Sequence, residues 1–489
     1  MRHSARAALL AAAILLLPQP AAAQADVATA DEIRRAVKVW MGQNLQAPDG
    51  SYQIRLDDPL SVVPTGDRYR LILPGGVVDL DDGVLFHFAA ISADLVPLPS
   101  GWYDVNWTIG SGHHFERPDE PDLTISFGGQ SGRGVFAPEY QTMMSSDASL
   151  SRIIVTDGSN GNAVIDEVRV SMRSEEVAPG IYDAAQTAVL SGFSIAETGQ
   201  GALIRFDSLQ IDGTTERARM AAITAFNRRV QELTRQAATI NDQAELDAAM
   251  AAYAEVFDTG TPLFAGGSAG MRLNGLTATD GIEQFALGEG RMSVLFDGLD
   301  EALSSVSIEI GSEGVATNNP EIERFLPTES RFRLAAIDLP NAEIVDVLAQ
   351  SMGSMVETGP ETAMMMAGIT LQQALLGAGS TLEIGPIRAV SPLAQVDIQG
   401  LVHPEPASPY SVAAEIDMTI AGLDALIGEL QSTGGDEEAI KFLTVLQALG
   451  GQGADTGAGA VRTYAFRLDA TGNLLLNGAD LMPLIGSFQ

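Results

Sequence analysis

The chain contains no cysteine. That excludes disulfides, thiolate zinc sites, iron–sulfur clusters, a cysteine nucleophile and a lipid-anchoring cysteine. Lysine is nearly absent, with Lys38 and Lys441 the only two. Five histidines, one of them His3, leave little for metal binding or general-base chemistry. Positive charge as a whole is scarce. Among 489 residues, 28 Lys and Arg face 63 Asp and Glu, a formal net charge of −35. With Arg2 and Arg6 of the leader set aside, 26 cations face the same 63 acids, a balance of −37. A field of that sign repels phosphate backbones and anionic lipid surfaces, so non-specific nucleic-acid binding and electrostatic membrane docking are excluded.

The N-terminus carries the most specific signal. Arg2 and Arg6 form a positive region, Ala7 to Leu17 an apolar one, Pro18 and Pro20 a break, and Ala21-Ala22-Ala23 a small-residue cleavage site. A spanning helix needs ~20 apolar residues, so this segment reads as a signal peptide over 1–23. Cleavage is expected after Ala23, or after Ala25 by the overlapping Ala23-Gln24-Ala25. No later apolar run reaches spanning length, and a periplasmic protein without a transmembrane anchor is the expectation.

The body divides by periodicity. Asp31 to Trp40 reads as a short helix with Asp31 as its N-cap. Residues 24–214 are β-rich, with period-2 runs such as Tyr69, Leu71, Leu73 and Val168, Val170, Met172, separated by Gly-containing turns. Over 215–257 the period becomes helical: Phe226, Val230, Leu233 and Ala237, then Leu246, Met250, Tyr253 and Phe257, an αα-hairpin with Asp242 and Glu245 capping its second helix. From 258 to 489, strands mix with helices. The strand Phe332–Leu339 leads into a helix over 342–351, and the strand Tyr410–Ile420 into one over 423–431, a strand–helix unit used at least twice. The expected class is α+β: a long twisted antiparallel sheet with strand–helix repeats and the αα-hairpin packed on its apolar face. A sheet of long amphipathic strands either hides that face under helices or offers it to something apolar.

Chemistry-bearing motifs are weak. Gly266-Gly267-Ser268-Ala269-Gly270 matches G-x-S-x-G, but the residues after it alternate like a strand and the only downstream histidine is His403, so a flexible turn is expected. His113, His114, Glu116 and Asp119 could suggest a metal, yet adjacent residues of an extended chain face opposite ways, and a polar loop is expected instead. His87 is placed on the polar side of its strand. Asp79 to Gly83 and Asp157 to Asn162 lack the closing glutamate of a calcium loop. The glycines over 450–459 follow a helix and precede a strand, the reverse of a dinucleotide fold, and read as a linker. Adjacent acids such as Glu175-Glu176 are expected by chance in so acidic a chain, leaving a carboxylate hydrolase as the minor reading. No catalytic, metal or cofactor site emerges.

One surface stands apart. Met352, Met355, Met364, Met365 and Met366 fall within 15 residues, followed by Ile369, Leu371, Leu375 and Leu376. Methionine makes an adaptable apolar surface, suited to irregular packing or to apolar ligands and partners. The chain closes on Thr463–Leu468, the turn Asp469–Asn473, then Leu474-Leu475-Leu476-Asn477-Gly478 and Leu481-Met482-Pro483-Leu484. With the signal peptide and the strand–helix units, this resembles a bacterial envelope family designated domain of unknown function 2125. It is distantly similar to β-rich, assembly-factor-like envelope proteins. The resemblance implies a non-enzymatic envelope role and transfers no site residue. The expected function is an exported, non-catalytic envelope protein that binds a lipid or an envelope partner on its sheet. A purely structural scaffold is the alternative.

Overall fold

The computed structural model describes residues 25–44, 53–80, 83–118, 120–157, 161–197, 203–238, 252, 262–453 and 460–481. Strands hold 55% of the chain and helices 23%, so an antiparallel sheet dominates. No helix among the described residues is long and apolar enough to cross a membrane. The expected leader, the second helix expected over 242–257 except Ala252, and Asp81, Asp82, Asp119 and Asn160 lie outside the described residues.

Two compact units form, Met1–Glu120 with Gln130–Asp147, and Pro121–Gly129 with Ala148–Gln489. In the first, helix α1 (Val27–Asn44) precedes strands β1 (Gln53–Leu56), β2 (Ser61–Thr65), β3 (Arg68–Leu73), β4 (Gly76–Asp79), β5 (Leu85–Phe88), β6 (Ile91–Pro97), β7 (Tyr103–Ile109) and β8 (His113–Glu116). The α1 helix starts four residues earlier than Asp31. Asp26 is its cap, accepting from the Thr29 N–H and hydroxyl at 2.9 and 2.8 Å. Those bonds hold the Asp26 carboxyl below its ordinary range. Ala30 and Ile33 on the buried side of α1 pack with Val62, Tyr69, Leu95 and Val105 of β2, β3, β6 and β7. This sheet's apolar face is covered by its own helix.

In chain order after β8 come β9 (Leu123–Ser126), β10 (Gly129–Ala137) and β11 (Thr142–Thr156). The second unit is then built on long strands: β12 (Gly161–Ala178), β13 (Ile181–Glu197), β14 (Leu203–Arg219), β15 (Gly266–Thr279), β16 (Gln284–Asp297), β17 (Leu303–Glu313), a short β18 (Ala316–Thr317), β19 (Glu329–Pro340), β20 (Thr381–Val390), β21 (Gln395–Pro404) and β22 (Val412–Ala421). Short β23 (Gly451–Gln452), β24 (Val461–Leu468), β25 (Leu474–Leu476) and β26 (Ala479–Asp480) finish it. Every neighbour pair is antiparallel, and the order is a near-continuous meander from β12 to β17, then β19 to β22, then β24.

Helices enter at the strand ends: α2 (Met220–Ala238) after β14, a single turn α3 (Pro320–Glu323), α4 (Asn341–Thr358) and α5 (Pro360–Ala378) after β19, and α6 (Leu423–Ser432) and α7 (Glu437–Leu449) after β22. Strand β14 runs on to Arg219, past the expected change of period at Thr215, because its ladder to β15 continues to Glu216↔Gly266 and its ladder to β13 to Ile181↔Arg219. Within α2, Leu233 is buried while Phe226 and Val230 are half-buried.

Gly266 to Gly270 is the start of β15 and not a flexible turn. A Cβ on Gly267 would sit 2.4 Å from the Thr214 carbonyl oxygen, and one on Gly266 2.8 Å from that of Phe296. The glycines let neighbouring backbones approach. The expected polar loop at His113-His114 is likewise strand β8, paired to β5 through Phe86↔Phe115.

Candidate ligand-binding face

Partners in an antiparallel ladder project to the same side of the sheet, so the register of the second unit sorts its side chains into rows. One row runs Val170, Ala188, Ile211, Met271, Met292, Ile310, Phe332, one residue from each of β12 to β17 and β19. All seven are apolar. The next row on that face runs Met172, Gln186, Gly213, Ala269, Val294, Ile308, Leu334 and Ile384. Rows beside these two add Val168, Leu190, Leu209 and Leu273 on one flank and Phe296, Val306, Ala336 and Leu382 on the other. No charged residue occurs in any of the four, in a chain with 91 of them.

The central row is not covered. Ile211 is 48% exposed, Met271 46% and Ile310 45%. Isolated exposed apolar residues are ordinary on a protein surface. A registered strip of them across seven strands is not.

The opposite face has the opposite chemistry. There the register aligns Gln210, Arg272, Arg291, Gly311, Arg331 and Arg388. Carboxylates lie between the arginines: Glu309 is 3.7 Å from Arg291 and 3.0 Å from Arg331, and Arg388 lies 3.4 Å from Glu329 and 3.6 Å from Asp397. Arg291 lies across Gly311, where a Cβ would meet its Nε at 3.0 Å. This ladder neutralises its own charge, turns to water, and leaves no free cation row for an anion.

Toward its C-terminal end the apolar face is closed. The row through Leu334 and Ile384 continues as Gly400, Ile416, Phe466 and Leu476. Over it lie Leu423 and Ile427 of α6 and Leu443 and Leu446 of α7, packed with Met418, Ile420, Tyr464 and Phe466. Tyr464 is buried, donates its hydroxyl to the Leu446 carbonyl at 2.9 Å, and has its phenol pushed up by that burial. The Asn477 amide donates to the Leu449 carbonyl at the end of α7, at 3.0 Å.

Of the methionines singled out in the sequence, Met352 and Met355 fall on α4, and their side chains lie outside the described residues. Met364, Met365 and Met366 fall on the first turns of α5 and are exposed, as is Ile369. α4 and α5 pack together, with Val347 and Ala363 buried.

The other motifs resolve into structural bonds. Ser268 shares a 2.7 Å hydroxyl hydrogen bond with Thr214 on the neighbouring strand, and His403 belongs to β21. His113 is buried, with its two ring nitrogens bonded to the Ala89 N–H and the Gly110 carbonyl. With the side chains as they stand, no group of three His, Asp or Glu is arranged to hold a metal ion among the described residues. No family model, curated protein or solved structure matches the chain.

Proposed function

We propose that this is an exported, non-catalytic protein of the cell envelope that holds the acyl chains of a lipid on the uncovered face of its long sheet. The observation that carries this reading is the uncharged row from Val170 to Phe332. Seven strands give six inter-strand spacings, about 29 Å of apolar track. A bilayer's hydrocarbon core, two acyl chains end to end, is ~30 Å thick. The track is therefore long enough for acyl chains of about half that length each, and the absence of charge along it matches their chemistry. The acidic body favours lipids with zwitterionic or neutral heads over anionic ones. Exposed Met364, Met365 and Met366 add an adaptable apolar surface on α5. The closing of the same face by α6 and α7 supports the reading from the other side. Where this chain needs the face buried as core, it supplies helices to do it.

The test is native mass spectrometry with solvent extraction on protein purified from the periplasm, beside an Ile310→Glu variant. Co-purifying lipid that is lost in the variant, at unchanged far-ultraviolet dichroism, is the expected result. A lipid-free protein that also fails to take acyl probe from phosphatidylcholine vesicles overturns the reading and leaves the scaffold role.

A further inference from the structure

Three of the chain's five histidines, His87, His113 and His114, occur on one strand pair of the first unit, and the fold splits them between two faces. His113 and Phe115 point to one side with Phe86, whose ring lies 4.6 Å from that of Phe115 and 6.2 Å from that of His113. His113 has used both ring nitrogens and is a core residue. On the other side, His87 of β5 sits directly opposite His114 of β8, and their rings stack 4.2 Å apart with planes within 4°. Glu116, two residues beyond His114 and so on its face, places Oε2 3.2 Å from Nε2 of His87. Two imidazoles and a carboxylate thus share one patch, although β5 and β8 are far apart in sequence.

We propose that His87, His114 and Glu116 form a surface site for a borderline divalent transition metal, with zinc as the probe ion. Imidazole with carboxylate is a donor set such ions accept, three protein ligands leaving a fourth position to water. A directly opposed pair holds its two Cβ atoms about 5 Å apart, so both rings reach one ion. The only movement required is rotation about χ2, a broad torsion in histidine, which turns the stacked rings so that a nitrogen of each faces the metal. The packed Phe86–Phe115 pair behind holds the strands in register while the rings turn. Among the described residues of these ladders, the other charged groups on this face are Arg55 and Asp79, 3.8 Å apart and paired to each other, so the cation in register with the site is already matched. The net acidity of the chain attracts it.

The experiment is calorimetric titration of zinc into the untagged, chelator-treated mature chain, with His87→Ala, His114→Ala, Glu116→Gln and, as a control on a strand of the second unit, His403→Ala. The expected result is one zinc per chain. Each histidine variant weakens binding roughly tenfold or more, the glutamine variant less, and the control leaves it unchanged. Magnesium, a hard ion that prefers oxygen, should not compete. Zinc should raise the thermal midpoint of the parent chain and not of His114→Ala, a readout that stays interpretable if one alanine variant is less stable. No stoichiometric zinc, or zinc bound equally well by His114→Ala, overturns the proposal.

Discussion

The two ends of the second unit's sheet present the same apolar face and treat it oppositely. Over β21 to β25 the face is roofed by α6 and α7, and Leu423 and Tyr464 are each 1% exposed. Over β12 to β19 the same rows continue, yet Met271 and Ile310 remain close to half exposed. Strand pattern does not distinguish the ends, since both alternate apolar with polar residues. Burial of the strands under α6 and α7 does. Exposure at the open end is therefore a property of that region and not of long strands in general. The first unit makes the same point from a third position, where α1 covers β2, β3, β6 and β7.

The largest expected effect tests the roofed end. Leu423→Ala removes a fully buried side chain from between α6 and the sheet and should cost about 2–5 kcal/mol as a cavity. Urea unfolding of the variant measures this. A loss comparable to that of an exposed site would mean that α6 only rests on the sheet.

The matched change at the open end should cost far less. Ile310→Ala removes a side chain already 45% exposed, and the expected loss is about 1 kcal/mol or less. Its larger consequence should be functional, a weaker hold on an acyl probe at nearly unchanged stability. If Ile310→Ala destabilises as much as Leu423→Ala, the open row is core in solution and the lipid reading fails with it.

Much of this architecture was legible in the residues, and the missing part has a physical reason. Alternation located β3, β12, β19 and β22, and helical spacing located α1, α2, α4 and α6. Boundaries moved where a particular bond decided them: Asp26 and not Asp31 caps α1 through Thr29, and the pairing with Tyr182 and Ile181 carries β14 through to Arg219. Gly266 to Gly270 looked like a turn because glycine's usual local meaning is flexibility. In β15 its role is room for Thr214 and Phe296, which lie remote in sequence. The candidate face was legible only as amphipathic strands. That Ile211, Met271, Met292 and Ile310 fall in one row depends on register, which is set between strands and cannot be read within any one of them. The same holds for His87 and His114, whose pairing is a fact about β5 beside β8.

Acid should act locally, at turns and caps. Asp469 accepts hydrogen bonds from the N–H and hydroxyl of Thr471 and the N–H of Asn473 in the turn between β24 and β25, and these hold its carboxyl below the ordinary range. A carboxyl lowered in the folded state stabilises fully above its unfolded value, and that contribution disappears as pH falls through the folded one. Asp469→Ala should therefore be less stable than the parent at neutral pH and approach it in strong acid. The turn borders the roofed end, so hydrogen exchange should loosen there in the variant while β12 to β17 keep their protection. A gap between variant and parent that persists unchanged at low pH would assign the Asp469 contribution to something other than its charge.

The smallest effect separates the body's charge from the face's lack of it. With a formal net charge of −35 across the chain, self-repulsion should weaken the fold in dilute buffer. The Debye length shrinks from ~30 Å at 0.01 M salt to ~3 Å at 1 M, so sodium chloride should raise the thermal midpoint over that range. Sodium chloride is the appropriate salt because sulfate strengthens burial in almost any protein. Binding of a neutral acyl probe should respond much less, since the four rows it would lie on carry no charge to screen. A midpoint that stays flat would show that the paired arginines of the opposite face already neutralise the fold where it matters. A probe affinity that falls steeply with salt would place the ligand against charged groups, and therefore somewhere other than the row from Val170 to Phe332.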